Sequence, residues 1–320
     1  MQTSTLPLAI AGAVIAIITA AVPVRAQNIQ SWVSATGGGS ACTRAAPCST
    51  FVAANSATLP GGVISVLDSG HFGTIIISKS LTIRAEGVDG GGTTSSPGFI
   101  GPLIFVSAGA SDVVRLEGLN LTGAGIVFDK AGQLHVRNCV IGRTDSSSGS
   151  FNSGIRFAPN GASTLVVSDT MIVNNGVGAT GAGILVKPQA GGSARVHLER
   201  VSAQGNVFGI VADGTGSTAG INMTVADSVS SGNTQDGIIA VTPSGGAPIG
   251  VYVKNTKSTN NAIGIRSIGP NVTVRVDGSS VIGNGTGLSF SGGGALLSAG
   301  NNTVEANGSN GAFSSSYALK

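Results

Sequence analysis

The stretch DSGHFG, Asp68 to Gly73, puts a carboxylate and an imidazole three residues apart, the one place in the chain where Asp and His stand that close. A His–Asp pair could share a proton in general base catalysis, but alone it is a weak signal. The other two histidines, His135 and His197, lie far apart in sequence. Cys42 and Cys48 flank TRAAP and have no histidine beside them, so a metal site is not expected. They are expected to form a small loop disulfide, leaving Cys139 as a buried, unreactive thiol. The formal net charge of +3 is spread along the chain, with no Lys/Arg block and no aromatic–basic interleaving. Nucleic acid is therefore excluded as a partner.

These residues need a frame. Only 10% of the chain is charged and 4% aromatic, while 51 residues are glycine. Small aliphatics must build the core, and no long helical period follows the N-terminal region, so the chain reads as all-β with many turns. At the start, an apolar run from Leu8 to Val22 sits between Pro7 and Pro23, with Val24 and Ala26 placed before Gln27 as at a cleavage site. The run is short for a membrane span, which needs about 20 residues. Residues 1–26 are read as a signal peptide, although no Lys or Arg precedes the run. The expected locations are secreted, periplasmic or cell-surface, with no membrane span once the signal is cleaved.

The remainder repeats. LHVRNCVI (from Leu134), LVVSDTMI (Leu165), VHLERVSA (Val196), MTVADSVS (Met223), VYVKNTKS (Val251), VRVDGSSV (Val274) and LSAGNNTV (Leu297) align, with VRLEGLNL (Val114) ahead of them. The first and third residues are apolar. The fifth is Gly118, Asn138, Asp169, Arg200, Asp227, Asn255, Gly278 or Asn301. Gly, Asn and Asp accept a left-handed backbone cheaply, so each repeat is a strand, a one-residue bend and a second strand. Arg200 is the exception and should be strained. Six positions after the bend come Asn175, Asn206, Asn233, Asn261, Asn284 and Asn307, expected to hydrogen-bond along the stack. A glycine–apolar pair such as Gly264–Ile265 then opens a third strand.

Three short strands per repeat describe one coil of a β-helix. The pattern resembles right-handed parallel β-helix proteins of the pectin-lyase-like type, over roughly Val63 to Val304. The resemblance implies an all-β, right-handed, single-stranded parallel β-helix with three short strands per coil. PCSTFVAANSATLPGG supplies a short N-terminal capping helix with Phe51, Ala54 and Ala57 on one side. The domains are read as 1–26 signal peptide, 27–62 cap and 63–320 β-helix. Phe313, Tyr317 and Leu319 are expected to fold back over the last coil.

Function must then sit on outward positions. Three before the bend, the outward row holds His135, His197, Tyr252 and Arg275, a candidate binding stripe. One before the bend, Glu117 is expected beside Arg137 and Lys254 beside Asp277 as charge pairs. His135 and His197 are two rungs, about 9–10 Å, apart and cannot share one metal ion. In polysaccharide-active relatives the groove follows the strand that here begins with Gly-Ile, where Arg156, Lys187, Asp213 and Arg266 point outward as catalytic candidates. Asp129 and Asp213 are about 14 Å apart. That is too far for the paired carboxylates of a glycosidase. The family's Asp–Asp, Gly-His-Gly and Arg-x-Pro-x-x-Arg markers are missing from this sequence. The leading reading is a secreted non-catalytic scaffold, structural, adhesive or contacting a polysaccharide or cell-surface glycan, with no cofactor. The alternative is a divergent polysaccharide lyase or glycoside hydrolase on an acidic polysaccharide, with Ca²⁺ implied only for the lyase.

Overall fold

The computed structural model describes residues 2, 27–93, 101–144, 152–177 and 180–318. The segment read as a signal peptide, apart from residue 2, and Leu319 lie outside them. The chain winds through three parallel sheets of twelve, nine and ten strands, visiting one after another in each coil. No helix among the described residues is long and apolar enough to cross a membrane. The expected all-β solenoid with three strands per coil is the observed fold.

Left-handed backbone marks the corner between the twelve- and ten-stranded sheets. Asn138, Asp169, Arg200, Asp227 and Asn255 have φ of 52°, 52°, 51°, 50° and 45°, and Gly118 and Gly278 have 69° and 55°. Arg200 is therefore held where a long side chain is disfavoured. Its guanidinium clasps Asp169 on the preceding rung at 2.6 and 3.1 Å and also Glu199, which offsets the strain. The last coil departs from the expected alignment. Val274 pairs with Leu296, not Leu297, and the left-handed residue is Gly300 (φ 89°) rather than Asn301. Leu296 is fully buried, while Leu297 pairs with outward Arg275. One extra residue is taken up at Gly300, where a glycine bends without penalty.

Inside, apolar residues stack rung on rung. Leu134, Leu165 and Val196 are in register, as are Val136, Val167 and Leu198, and all are buried. Phe128 and Phe157 stack at 4.4 Å between ring centres. Hydroxyls one past the bend bond inward across rungs: Ser228 Oγ accepts from Val201 N at 3.0 Å and Ser279 Oγ from Thr256 N at 3.1 Å. Cys139 shares this stack, and burial pushes its thiol up to about 11. At the next corner, Asn206 Oδ1 accepts from Asn175 N and Nδ2 at 3.0 and 2.9 Å. The same double contact joins Asn206 to Asn233, Asn233 to Asn261, Asn261 to Asn284 and Asn284 to Asn307. Just before these amides sits a second left-handed residue at Asn174, Gly205, Gly232, Asn260 and Gly283, each five past the first bend.

The strand Asn28–Val33 pairs with Thr58–Val66, and the Cys42–Cys48 disulfide closes the intervening loop against Trp32. The helix Phe51–Ala57 buries Phe51 and Ala54. Thr50 Oγ1 caps its start by accepting from Ala53 N at 3.2 Å. At its end Lys79 Nζ donates to Asn55 O at 2.7 Å and to Thr58 O, a favourable place for a cation. Lys79–Ser80 connects the strand Ile75–Ile77 of the nine-stranded sheet to Leu81–Arg84 of the twelve-stranded one. At the C-terminus, Phe313 packs on the core and Ser315–Ser316 adds the last strand of that sheet.

Candidate functional site

Four adjacent strands of the twelve-stranded sheet, Ser193–Glu199, Ile221–Ala226, Ile249–Lys254 and Val272–Asp277, align their outward residues in rows. One row runs Arg195, Asn222, Gly250, Thr273, and the next His197, Thr224, Tyr252, Arg275. Alternation sends Leu198, Val225, Val253 and Val276 into the core and these rows to solvent. Long side chains stand at the ends, Arg195 with His197 and Tyr252 with Arg275. Short ones, Asn222, Thr224 and Gly250, lie between. The result is an open hollow of about 490 Å³. Gly250 is its floor: a Cβ there would meet only Asn222 Oδ1, at 3.4 Å. A glycine inside a strand commonly marks such a close approach.

The hollow is rich in donors. Arg195 and Arg275 are exposed, and neither makes an ion pair among the described residues. His197 stands 3.8 Å from Glu199. Tyr252 donates its hydroxyl to Asp277 Oδ2 at 2.6 Å, and that carboxylate, with burial adding to it, pushes the phenol up to about 12. Guanidinium groups pair with carboxylates, and the imidazole, amide and aromatic face add hydrogen-bonding and stacking surface beside them. Of the expected stripe, His197, Tyr252 and Arg275 are brought together. His135 is two strands away beyond Val166, bonded to Gln133 at 2.9 Å, and burial, with Arg115 nearby, holds its pKa below the usual value. Arg195, Asn222 and Gly250 went unnoticed in the sequence, although all three stand five residues before a bend.

The nine-stranded face is different. Its outward row reads Val127, Arg156, Leu185, Val211, Ile239, Arg266, Ser289. Lys187 Nζ bonds Asp213 Oδ2 at 2.8 Å, and Asp213 Oδ1 also accepts from Thr215 N at 2.9 Å. Arg266 bonds Asp236 at 3.2 Å. Asp236 has a side chain only 1% exposed, and burial raises its pKa while Arg266 opposes the shift. Asp236 was missed because it precedes the Gly-Ile pair, at a position filled by Phe208 and Ile263 on the flanking rungs. Between these ion pairs Ala182, Val211 and Ile239 form a small apolar cluster with Leu185 and Phe208 packed on it. Arg156, Lys187, Asp213 and Arg266 therefore do not converge on one point, and two of the three bases are already paired.

The remaining charges hold the frame. Asp68 accepts from Ser34 Oγ at 2.6 Å and Ala35 N at 2.7 Å, contacts that lower its pKa and tie the first two strands together. Glu117 lies in register with Arg137 but bonds Arg84 on the preceding strand at 2.9 Å. Asp277 lies beside Lys254 in register yet accepts from Tyr252 and, at 2.8 Å, Asn301. In each case the carboxylate takes a neighbouring donor, Arg84 or Tyr252, in place of the cation it faces in register. No group of three metal-ligating side chains occurs among the described residues.

No family model and no curated protein sequence matches the chain. Among solved structures it is similar to pectate lyase Pel9A, with 16% identity over 84% of this chain and 68% of that one and a TM-score of 0.52. It also aligns with a rhamnogalacturonan lyase at 15% identity, covering 84% of this chain and 73% of that one, with a TM-score of 0.42. The Pel9A likeness concerns shape, and with the three parallel sheets it shows that the chain has the pectin-lyase-like parallel β-helix fold.

Proposed function

We propose that the chain is a secreted, non-catalytic β-helix that binds an acidic polysaccharide or cell-surface glycan in the hollow between Arg195 and Arg275. Residues 1–26 are its cleaved signal, 27–62 its cap and 63–320 its coil. The observation that carries the reading is the glycine-floored hollow walled by His197, Tyr252 and two guanidinium groups that make no ion pair among the described residues. Its described lining offers cations and donors for a sugar carboxylate but no carboxylate pair to cleave a glycosidic bond. The test is calorimetric titration of the purified protein with oligogalacturonate. Losing one charged hydrogen bond costs about 1.5–3 kcal/mol, so Arg195→Ala and Arg275→Ala should each weaken binding by about 10- to 100-fold. Gly250→Leu fills the floor and should abolish it. Binding indifferent to all three substitutions refutes this site.

A second reading, cleavage of the polysaccharide, is favoured by the fold shared with a pectate lyase. It would use the nine-stranded face, with Arg156, Lys187 or Arg266 as base, Asp213 as the acid on that face and Ca²⁺ bound to the substrate. A calcium-dependent rise in unsaturated-uronate absorbance, lost in Lys187→Ala or Arg266→Ala, would establish it.

A further inference from the structure

The chain has two tyrosines, and both stand at the same end of the hollow. Tyr252 is part of its wall. Tyr317 belongs to the C-terminal segment, directly after the final strand Ser315–Ser316. That strand pairs Ser315 with Leu297 and Ser316 with Ser298, and Tyr317 N donates to Ser298 O at 2.9 Å. By this register Tyr317 lies beside Ala299, and Ala299 beside Asp277. The small alanine lets the tyrosine ring reach across to Asp277 and Tyr252.

The hydrogen bonding there is incomplete in one respect. Asp277 uses Oδ2 for Tyr252 at 2.6 Å and Oδ1 for Asn301 at 2.8 Å. The Tyr317 hydroxyl is shut off from solvent and has no hydrogen-bond partner among the described residues. A buried donor of that kind calls for an explanation. The acceptor left within the cluster is the Tyr252 oxygen, whose own proton is given to Asp277. A Tyr317-to-Tyr252-to-Asp277 chain would polarise each bond and hold the Tyr252 ring in one orientation. The charged groups facing this cluster are Asp277, Arg275 and Lys254.

We propose that Asp277 and Tyr317 are positioning residues for the hollow: Asp277 fixes the Tyr252 hydroxyl, and the C-terminal Tyr317 backs it, so that the last strand of the solenoid completes the binding wall. The proposal rests on the reading of the hollow as a glycan site. A wall held in its bound orientation before the ligand arrives binds more tightly, because less ordering remains to be done.

The test uses Tyr317→Phe and Asp277→Asn in the full chain, with three readouts. Ultraviolet phenolate absorbance against pH reports only these two tyrosines. Titration with oligogalacturonate gives affinity, and thermal unfolding gives stability. In Tyr317→Phe the one remaining phenol loses a donor to its phenolate and should titrate above wild-type Tyr252, and affinity should fall about three- to tenfold as the wall loses part of its fixed orientation, with the protein still folded. Asp277→Asn removes the carboxylate that raises it, so there Tyr252 should titrate closer to an ordinary phenol, and binding should weaken as well. A Tyr252 titration unmoved by Tyr317→Phe, or a moved titration with unchanged affinity, overturns the positioning role while leaving the hollow as a site. A wild-type protein that binds no oligogalacturonate overturns the positioning role together with the reading it rests on.

Discussion

Replacing Asn233 by leucine tests how the coils are held in register. Asn233 is 2% exposed, and its Oδ1 accepts from Asn206 N at 3.0 Å and Asn206 Nδ2 at 3.2 Å. Leucine has nearly the same size but offers no acceptor. Asn206 N and one proton of its amide would be left buried and unsatisfied; the other still donates to Ile172 O at 3.1 Å. Each orphaned donor costs about 1–3 kcal/mol, partly offset by burying the leucine methyls, so the net loss should be about 3 kcal/mol. Asn310 is the control. It makes the same contacts to Asn307 N and Nδ2, at 3.4 and 2.9 Å, but is exposed, so water replaces it. Asn310→Leu should cost under about 0.5 kcal/mol, as for a surface change. In urea, Asn233→Leu should lower the midpoint by about 1 M while Asn310→Leu barely moves it. Equal shifts for the two variants would refute the claim that burial of the amide row fixes its worth.

Three other outcomes are expected. Asn255→Val should destabilise by about 1–2 kcal/mol, because Val resists φ of 45°, whereas Lys254→Ala at an exposed site should stay within about 0.5 kcal/mol; equal melting temperatures would contradict the bend. The Cys139 thiol should be silent to a thiol reagent in the native protein and react once on unfolding without reductant, since it is buried with a pKa of about 11 and the other two cysteines are joined. Asp236 holds its proton more tightly when folded than unfolded. Its favourable contribution is complete below the unfolded carboxyl value, about 4, and is lost as pH rises through the raised folded value. Asp236→Asn should therefore gain on wild type in melting temperature as pH goes from about 4 to 7; parallel pH profiles would contradict the raised value.

The scaffold was legible because its signals are local and periodic. One left-handed residue and two flanking apolar positions recur in register, and they place Val251, Val253 and Asn255 without knowledge of the neighbouring coil. The last coil was misread by one position because Leu296 and Leu297 are adjacent and equally apolar; only pairing with Val274 tells them apart. The second left-handed position is also present as a spacing, in Asn174, Gly205 and Asn260, but it stands directly before the amide row, whose single residue type repeats more plainly. The hollow was half legible. His197, Tyr252 and Arg275 share a row, whereas its depth comes from short residues at Asn222 and Gly250 in a second row, and depth depends on four strands at once. Asp236 and Tyr317 were harder still, since one hides beneath an arginine and the other reaches its partners across Ala299.

The central claim is that the hollow between Arg195 and Arg275 takes a sugar by its negative charge. The most direct measurement compares, on the wild-type protein, the affinity for oligogalacturonate with that for the same oligomer fully methyl-esterified, at low and at physiological salt. Neutralising the ligand carboxylates removes the partners of both guanidinium groups. Binding should be lost with the ester, and binding of the acid form should weaken as salt rises. Equal affinity for the two oligomers, independent of salt, would contradict the claim.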